Sequence, residues 1–150
     1  MMFSVRPATF NDLATLTSFI IAEANEAEGS HKSLEIVEKG VRAGLENPAI
    51  ARYWVLETNQ VQTVGSLSVV KEWSDWHAGY YWWIQSMFIH PDYRSQGLMN
   101  LLLNAVREAA RDEDALAIRL YVHKNNTRAI KAYRREGFAD TPYQIMAMEP

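Results

Sequence analysis

Two stretches of this sequence carry residue types able to handle an anion and a proton. The first holds Met87, Phe88 and Ile89, then Pro91, then Arg94, Ser95, Gln96, Gly97, Leu98 and Met99. A strand-like run stops at Pro91, a cation follows at Arg94, and Gly97 leads into a helical pattern. A helix start presents several unpaired N–H groups and a partial positive charge, which suits a phosphate. Gly97 lets the backbone approach an anion closely, and Arg94 adds charge-assisted hydrogen bonds. The same residues also suit a tight turn with a solvated arginine, and this stretch alone does not choose between the two.

The second stretch holds Asn126, Ala129, Tyr133, Gly137 and Phe138. Ala129 and Tyr133 are four apart on one helical face, so core packing accounts for them as well as chemistry does. Asn126 suits an N-cap.

The elements that must carry these residues follow from spacing. Phe3 to Arg6 reads as a strand stopped by Pro7. Thr9 and Asp12 have capping-box spacing ahead of Leu13, Leu16, Ile20 and Ala24 on one helical face. Ser33 caps a second helix through Leu34, Val37, Val41 and Leu45, ended by Asn47 and Pro48. Arg52 to Glu57 and Val61 to Lys71 form a hairpin around Thr58 to Gln60. A loop from Glu72 to Gly79 leads into an aromatic strand from Tyr80 to Ile89. Leu98, Leu102, Ala105, Val106 and Ala109 make the apolar stripe of an amphipathic helix. Leu116, Ile118, Leu120 and Val122 alternate as a strand, and Asn126 to Glu136 is helical, with Gly137 as its stop. Tyr143 to Met148 is expected as a last strand. The expected fold is α/β, or α+β: a mixed sheet flanked by helices, with antiparallel pairing in the hairpin run and a parallel pair near the end.

Composition narrows the function classes. The chain has 150 residues, the size of one domain, with 48% hydrophobic and 22% charged residues. The absence of cysteine excludes disulfides, thiolate metal sites and a cysteine nucleophile, and fits a reducing compartment. A net charge of −3 argues against nucleic acid as the partner. The N-terminal residues lack the apolar run of a signal peptide, and no run is long enough to span a membrane, so the cytoplasm is the expected place. The four histidines show no paired ligand spacing, so no metal is expected.

Taken together, the two stretches resemble the GNAT superfamily of acyl-CoA N-acyltransferases. Arg94 and Gly97 match that family's R-x-x-G-x-G/A loop, with Pro91 and Tyr93 in its lead-in. Asn126, Ala129, Tyr133, Gly137 and Phe138 match its N-x-x-A-x-x-x-Y-x-x-x-G-F signature without a gap. The resemblance covers the chain from the opening strand onward and is most specific over residues 84–138. Met99 departs from it, standing where the family prefers Gly or Ala; its N–H survives the change, but its side chain must point away from a diphosphate.

The resemblance implies a mostly antiparallel sheet whose central strands splay apart, and a fold in which homodimers are common. It implies acetyl-coenzyme A as the acyl donor and an amine of a small molecule or peptide as the acceptor. Met87, Phe88 and Ile89 would pair with the pantetheine arm, and an N–H there would hold the thioester carbonyl. Residues Arg94 to Met99 would hold the diphosphate. Asn126 would lie near the departing sulfur, and Tyr133 would give its proton to the thiolate. Alternatives are a coenzyme A-binding sensor without catalysis and a protein N-terminal acetyltransferase.

A base is also needed, because lysine-type amines titrate near pH 10.4. Gln85 stands where many relatives carry a carboxylate, and an amide cannot take that proton. Glu72, Asp75, His77, His123 and the glutamates ending the first helix are candidates, and each also reads as a solvated surface residue. For the acceptor, Glu23 and Glu26 share a helical face and could draw in an ammonium, while Trp73 or Trp76 could offer ring-face contacts.

Overall fold

The computed structural model describes residues 2–150. The chain opens with β1 (Phe3–Pro7) and a short turn of helix, Phe10–Asp12, that runs into α1 (Leu13–Glu28). Next come α2 (Leu34–Glu46), β2 (Arg52–Thr58), β3 (Thr63–Ser74), β4 (Gly79–Ile89), α3 (Leu98–Asp112), β5 (Ala117–Leu120) and α4 (Thr127–Arg135). The five strands lie side by side in chain order. The first four are antiparallel neighbours, and β5 runs parallel to β4 after the crossover through α3. This is the mixed, mostly antiparallel sheet expected from the hairpin run and the late strand-helix-strand order.

Alternation along β2 divides the core between the two faces. Trp54 and Leu56 join Leu67, Val69, Trp82 and Ile84 under the apolar stripe of α3, where Leu98, Leu102, Leu103 and Val106 are buried. Val55, between them, faces the other way and packs with Leu16 of α1 and Val41 of α2. The start of α1 is pinned chemically. Asp12 accepts the Thr9 N–H at 2.7 Å and receives the two arms of the Arg6 guanidinium at 2.9 and 3.0 Å. Burial pushes the Asp12 carboxyl upward, but Arg6 and the Thr9 N–H outweigh it and hold the group below its ordinary range. Ser33 caps α2 as its position suggested, accepting from the Ile36 N–H at 3.4 Å.

Two expected elements differ. The loop from Glu72 to Gly79 shrinks to a turn, because β3 runs on to Ser74, with Trp73 opposite Tyr80 and Ser74 opposite Gly79. Tyr143 to Met148 is not a strand. Its apolar residues do not alternate strictly. Among the described residues no sheet edge pairs with its backbone, and Tyr143, Ile145, Met146 and Met148 face solvent. Among the described residues no helix is long and apolar enough to cross a membrane.

Candidate functional site

The site begins where two strands stop pairing. β5 accompanies β4 from Tyr81 to Ile84 and ends, while β4 continues to Ile89. On its other side β4 stays paired with β3, through a bulge at which Ser68 faces Ser86, Val69 faces Ile84, and Gln85 is the extra residue. The edge of β4 from Gln85 to Ile89 therefore has no neighbouring strand. Backbone groups there still need partners, and side chains supply them. Met87 N–H donates to Glu23 Oε2, and the Ile89 carbonyl accepts from Arg94 Nε at 2.7 Å.

Glu23 reaches that N–H because of how α1 lies. Leu16 is fully buried against the sheet, and one turn later Phe19 packs on Phe88 with ring centroids 5.0 Å apart. The next turn brings Glu23 over Met87. Glu26, three residues on, grips the Arg94 guanidinium through both carboxylate oxygens at 3.0 and 2.9 Å. Burial pushes the Glu23 carboxyl up to about 7; the Met87 N–H pulls it back only in part, and Glu26 adds a like charge.

Tyr133 comes from α4. Asn126 starts that helix by accepting the Ala129 N–H at 3.2 Å, which is the N-cap its position allowed. Tyr133 lies two turns along, edge-on to Phe138 at 5.8 Å. Burial, and then the charge of Glu23, raise its phenol above the ordinary value. It therefore keeps its proton throughout the neutral range. Glu23 and Tyr133 border the same cleft.

At the other end of that space α3 begins. Gly97 has φ of +73°, a left-handed conformation that glycine adopts without strain, and a Cβ there would meet no atom. The glycine is therefore required by its torsion angle, and the room beside it is open. Met99 is partly buried and packs against the main core.

These parts line one cleft of about 1140 Å³, larger than most small-ligand pockets. Glu23, Glu26, Gln85, Met87, Phe88, Ile89, Arg94, Ser95, Gly97, Leu98, Met99, Asn126 and Tyr133 all border it. Gln96, Trp73 and Trp76 do not. Trp73 packs edge-on against Tyr80 at 5.0 Å, and Trp76 is 82% exposed in the turn, so neither ring lines this cleft. Glu26 lies at Arg94, beside the loop that leads into α3. Sequence reasoning missed Tyr121, which borders the cleft and stacks on Trp83 at 4.4 Å. Its position just past β5, opposite the aromatic strand, was the available signal.

Comparison with known proteins agrees with this fold. The model of the family described as "Acetyltransferase (GNAT) family" matches residues 16–138. A possible acetyltransferase from Clostridium difficile 630 is 31% identical, with a TM-score of 0.92, over 100% of this chain and 99% of that one. A predicted acetyltransferase from Clostridium acetobutylicum, solved with acetyl-CoA, is 20% identical with a TM-score of 0.79, covering 98% of this chain and 96% of that one. AAC(6')-Iy, in complex with the bisubstrate analogue CoA-S-monomethyl-acetylneamine, has a TM-score of 0.82 at 12% identity, over 100% and 99% of the two chains. At these last two identities the likeness shows the fold. A search of curated proteins finds no match to the sequence.

The raised Glu23 has a consequence for stability. Its carboxyl holds a proton up to about pH 7 in the fold, against 4.5 as the ordinary value. Between those values the folded state binds more protons than the unfolded one, so stability falls as pH rises, by up to about 3 kcal/mol. Urea unfolding should show Glu23→Gln gaining on wild type between about pH 4.5 and 7, then holding that lead to pH 8. A wild type and variant that track each other across this range would contradict the buried placement of Glu23.

Proposed function

The chain belongs to the acetyltransferase (GNAT) family, and we propose that it moves the acetyl group of acetyl-coenzyme A directly onto a primary amine of a small molecule or peptide. The observation that carries this reading is the meeting, in one cleft, of an unpaired β4 edge, a helix start with Arg94, and Tyr133. Each suits a different part of the acyl donor.

Acetyl-coenzyme A is a substrate in this reading, consumed at every turnover. Arg94 and the N–H groups from Ser95 to Met99 hold its diphosphate, where the start of α3 adds partial positive charge. The Met87 to Ile89 edge pairs with the amides of the pantetheine arm as an added strand would. The Met87 N–H holds the thioester oxygen and stabilises the charge that develops there during attack. Asn126 lies beside the departing sulfur, and Tyr133, protonated at neutral pH, gives that sulfur its proton. With no cysteine in the chain, direct attack by the amine needs no cysteinyl acyl-enzyme. Glu23, Glu26 and Glu28 line the α1 side of a cleft that Arg94, Arg128 and Arg135 also border, so a cationic acceptor would be drawn by the carboxylates of α1 and not by a net field.

Two variants test the assignment. Arg94→Ala should weaken coenzyme A binding by roughly ten- to a hundredfold, the worth of a charge-assisted hydrogen bond or two. Unchanged affinity by calorimetry would remove the diphosphate from that loop. Tyr133→Phe keeps the ring packed on Phe138 and deletes only the hydroxyl. Its single-turnover rate should drop roughly 10²–10⁴-fold, and a wild-type rate would return Tyr133 to a packing role.

A further inference from the structure

Glu23 is committed to an unusual place: a helix carboxylate that accepts a backbone N–H of the sheet, 64 residues away in sequence. We infer that Glu23 is the general base of the transfer, ceding the Met87 N–H to the thioester carbonyl and taking a proton from the acceptor's ammonium. The inference rests on the acetyl-transfer reading and adds the residue that makes the amine nucleophilic.

Of the other candidates, Asp75 and His77 lie outside the cleft, Glu28 borders it without a hydrogen bond to the β4 edge, and the rest are committed elsewhere. Gln85 borders the cleft from the bulge, but its amide has no basic site near neutral pH. Glu72 accepts from Trp83 Nε1 at 3.2 Å and lies 3.7 Å from Arg119, outside the cleft. Glu26 is held by Arg94, and His123 Nδ1 accepts the Asn125 N–H at 3.2 Å. Glu23 alone, among the described residues, has a carboxylate on the N–H that the thioester oxygen would use. When that oxygen takes over the Met87 N–H, the carboxylate is left within about a hydrogen-bond length of the acyl group. The groups acting on it are few. Met87 N–H of β4 favours its charged form, Glu26 of α1 opposes it, and Tyr133 of α4 faces it in the neutral state. Burial sets its proton affinity near 7, the range in which a base works best at neutral pH.

Glu23 takes one proton from R–NH3+, leaving R–NH2, and passes it to solvent. The nitrogen lone pair forms the C–N bond as the C=O pair moves onto oxygen at Met87 N–H. The carbonyl re-forms, the C–S bond breaks, and the thiolate takes the Tyr133 proton. The second proton on nitrogen restores the Tyr133 hydroxyl. The products are the acetamide, coenzyme A and one released proton.

The test is the pH dependence of kcat/KM with 1,4-diaminobutane and with a glycine-ended tripeptide as probe acceptors. Wild type should rise with pH and level off near 7, because Glu23 and the ammonium then exchange a proton internally. Glu23→Gln should be down roughly 10²-fold or more at pH 7. Its rate should keep climbing about tenfold per pH unit toward the amine's own pKa, so that the deficit closes at high pH. Glu23→Asp, which keeps the carboxylate, should recover the levelling near neutrality. Parallel profiles for wild type and Glu23→Gln, with Tyr133→Phe still slow, would overturn the role of Glu23 and leave the acetyl-transfer reading standing. Acetyl-coenzyme A binding with neither probe acetylated by wild type would count against that reading itself, and the base would fall with it.

Discussion

Everything at the site depends on four residues of β4 pairing with β5 and the next five not doing so. A sheet interior has no spare hydrogen-bonding groups, and an exposed edge hands them to water. The interruption after Ile84 does neither: it leaves the Met87 N–H and the Ile89 carbonyl inside a cleft, walled by α1, α4 and the start of α3. Such groups must be paired. In this chain the partners are two side chains, Glu23 and Arg94, to which the proposed reaction gives the base and the diphosphate cation.

The two contacts are linked through α1. Glu23 and Glu26 are one helical step apart, and they engage the two donors that acetyl-coenzyme A would need, the β4 amide and the Arg94 guanidinium. In the proposed reading, binding the acyl donor is an exchange of partners. The cost is limited at Arg94, where the ion pair is partly exposed and worth little in water. At Glu23 the exchange frees a carboxylate that burial has already made reluctant to ionise. The rigid pinning of α1, by Arg6 on Asp12 at one end and Phe19 on Phe88 further along, keeps both glutamates in register with the cleft.

Much of this was legible in local sequence. The stripe of α3, the Ser33 cap, the stop at Pro91, and the spacing of Asn126, Ala129 and Tyr133 all come from short-range rules, and each landed on its element. What escaped was long-range. No local pattern connects Glu23 with Met87, because their contact exists only once α1 crosses the sheet. Gln85 looked like a missing carboxylate, whereas it is the extra residue of the bulge, and the carboxylate on the Met87 N–H comes from α1. Trp73 and Trp76 read as loop aromatics near a pocket, but β3 runs further than its turn residues suggested and carries Trp73 away with it. The last expected strand failed for a related reason: an apolar run is a strand only where an edge accepts it.

The central claim is that the Met87 N–H is one donor shared in turn by Glu23 and the thioester carbonyl. The backbone 15N and 1H shifts of Met87, followed from pH 5.5 to 8.5 with and without a non-reactive acetyl-coenzyme A analogue, test it most directly. Without the analogue the resonance should titrate with the Glu23 carboxyl near pH 7; with saturating analogue it should move and lose that titration. A Met87 amide indifferent to pH, or one that keeps the same titration with the analogue bound, would contradict the account.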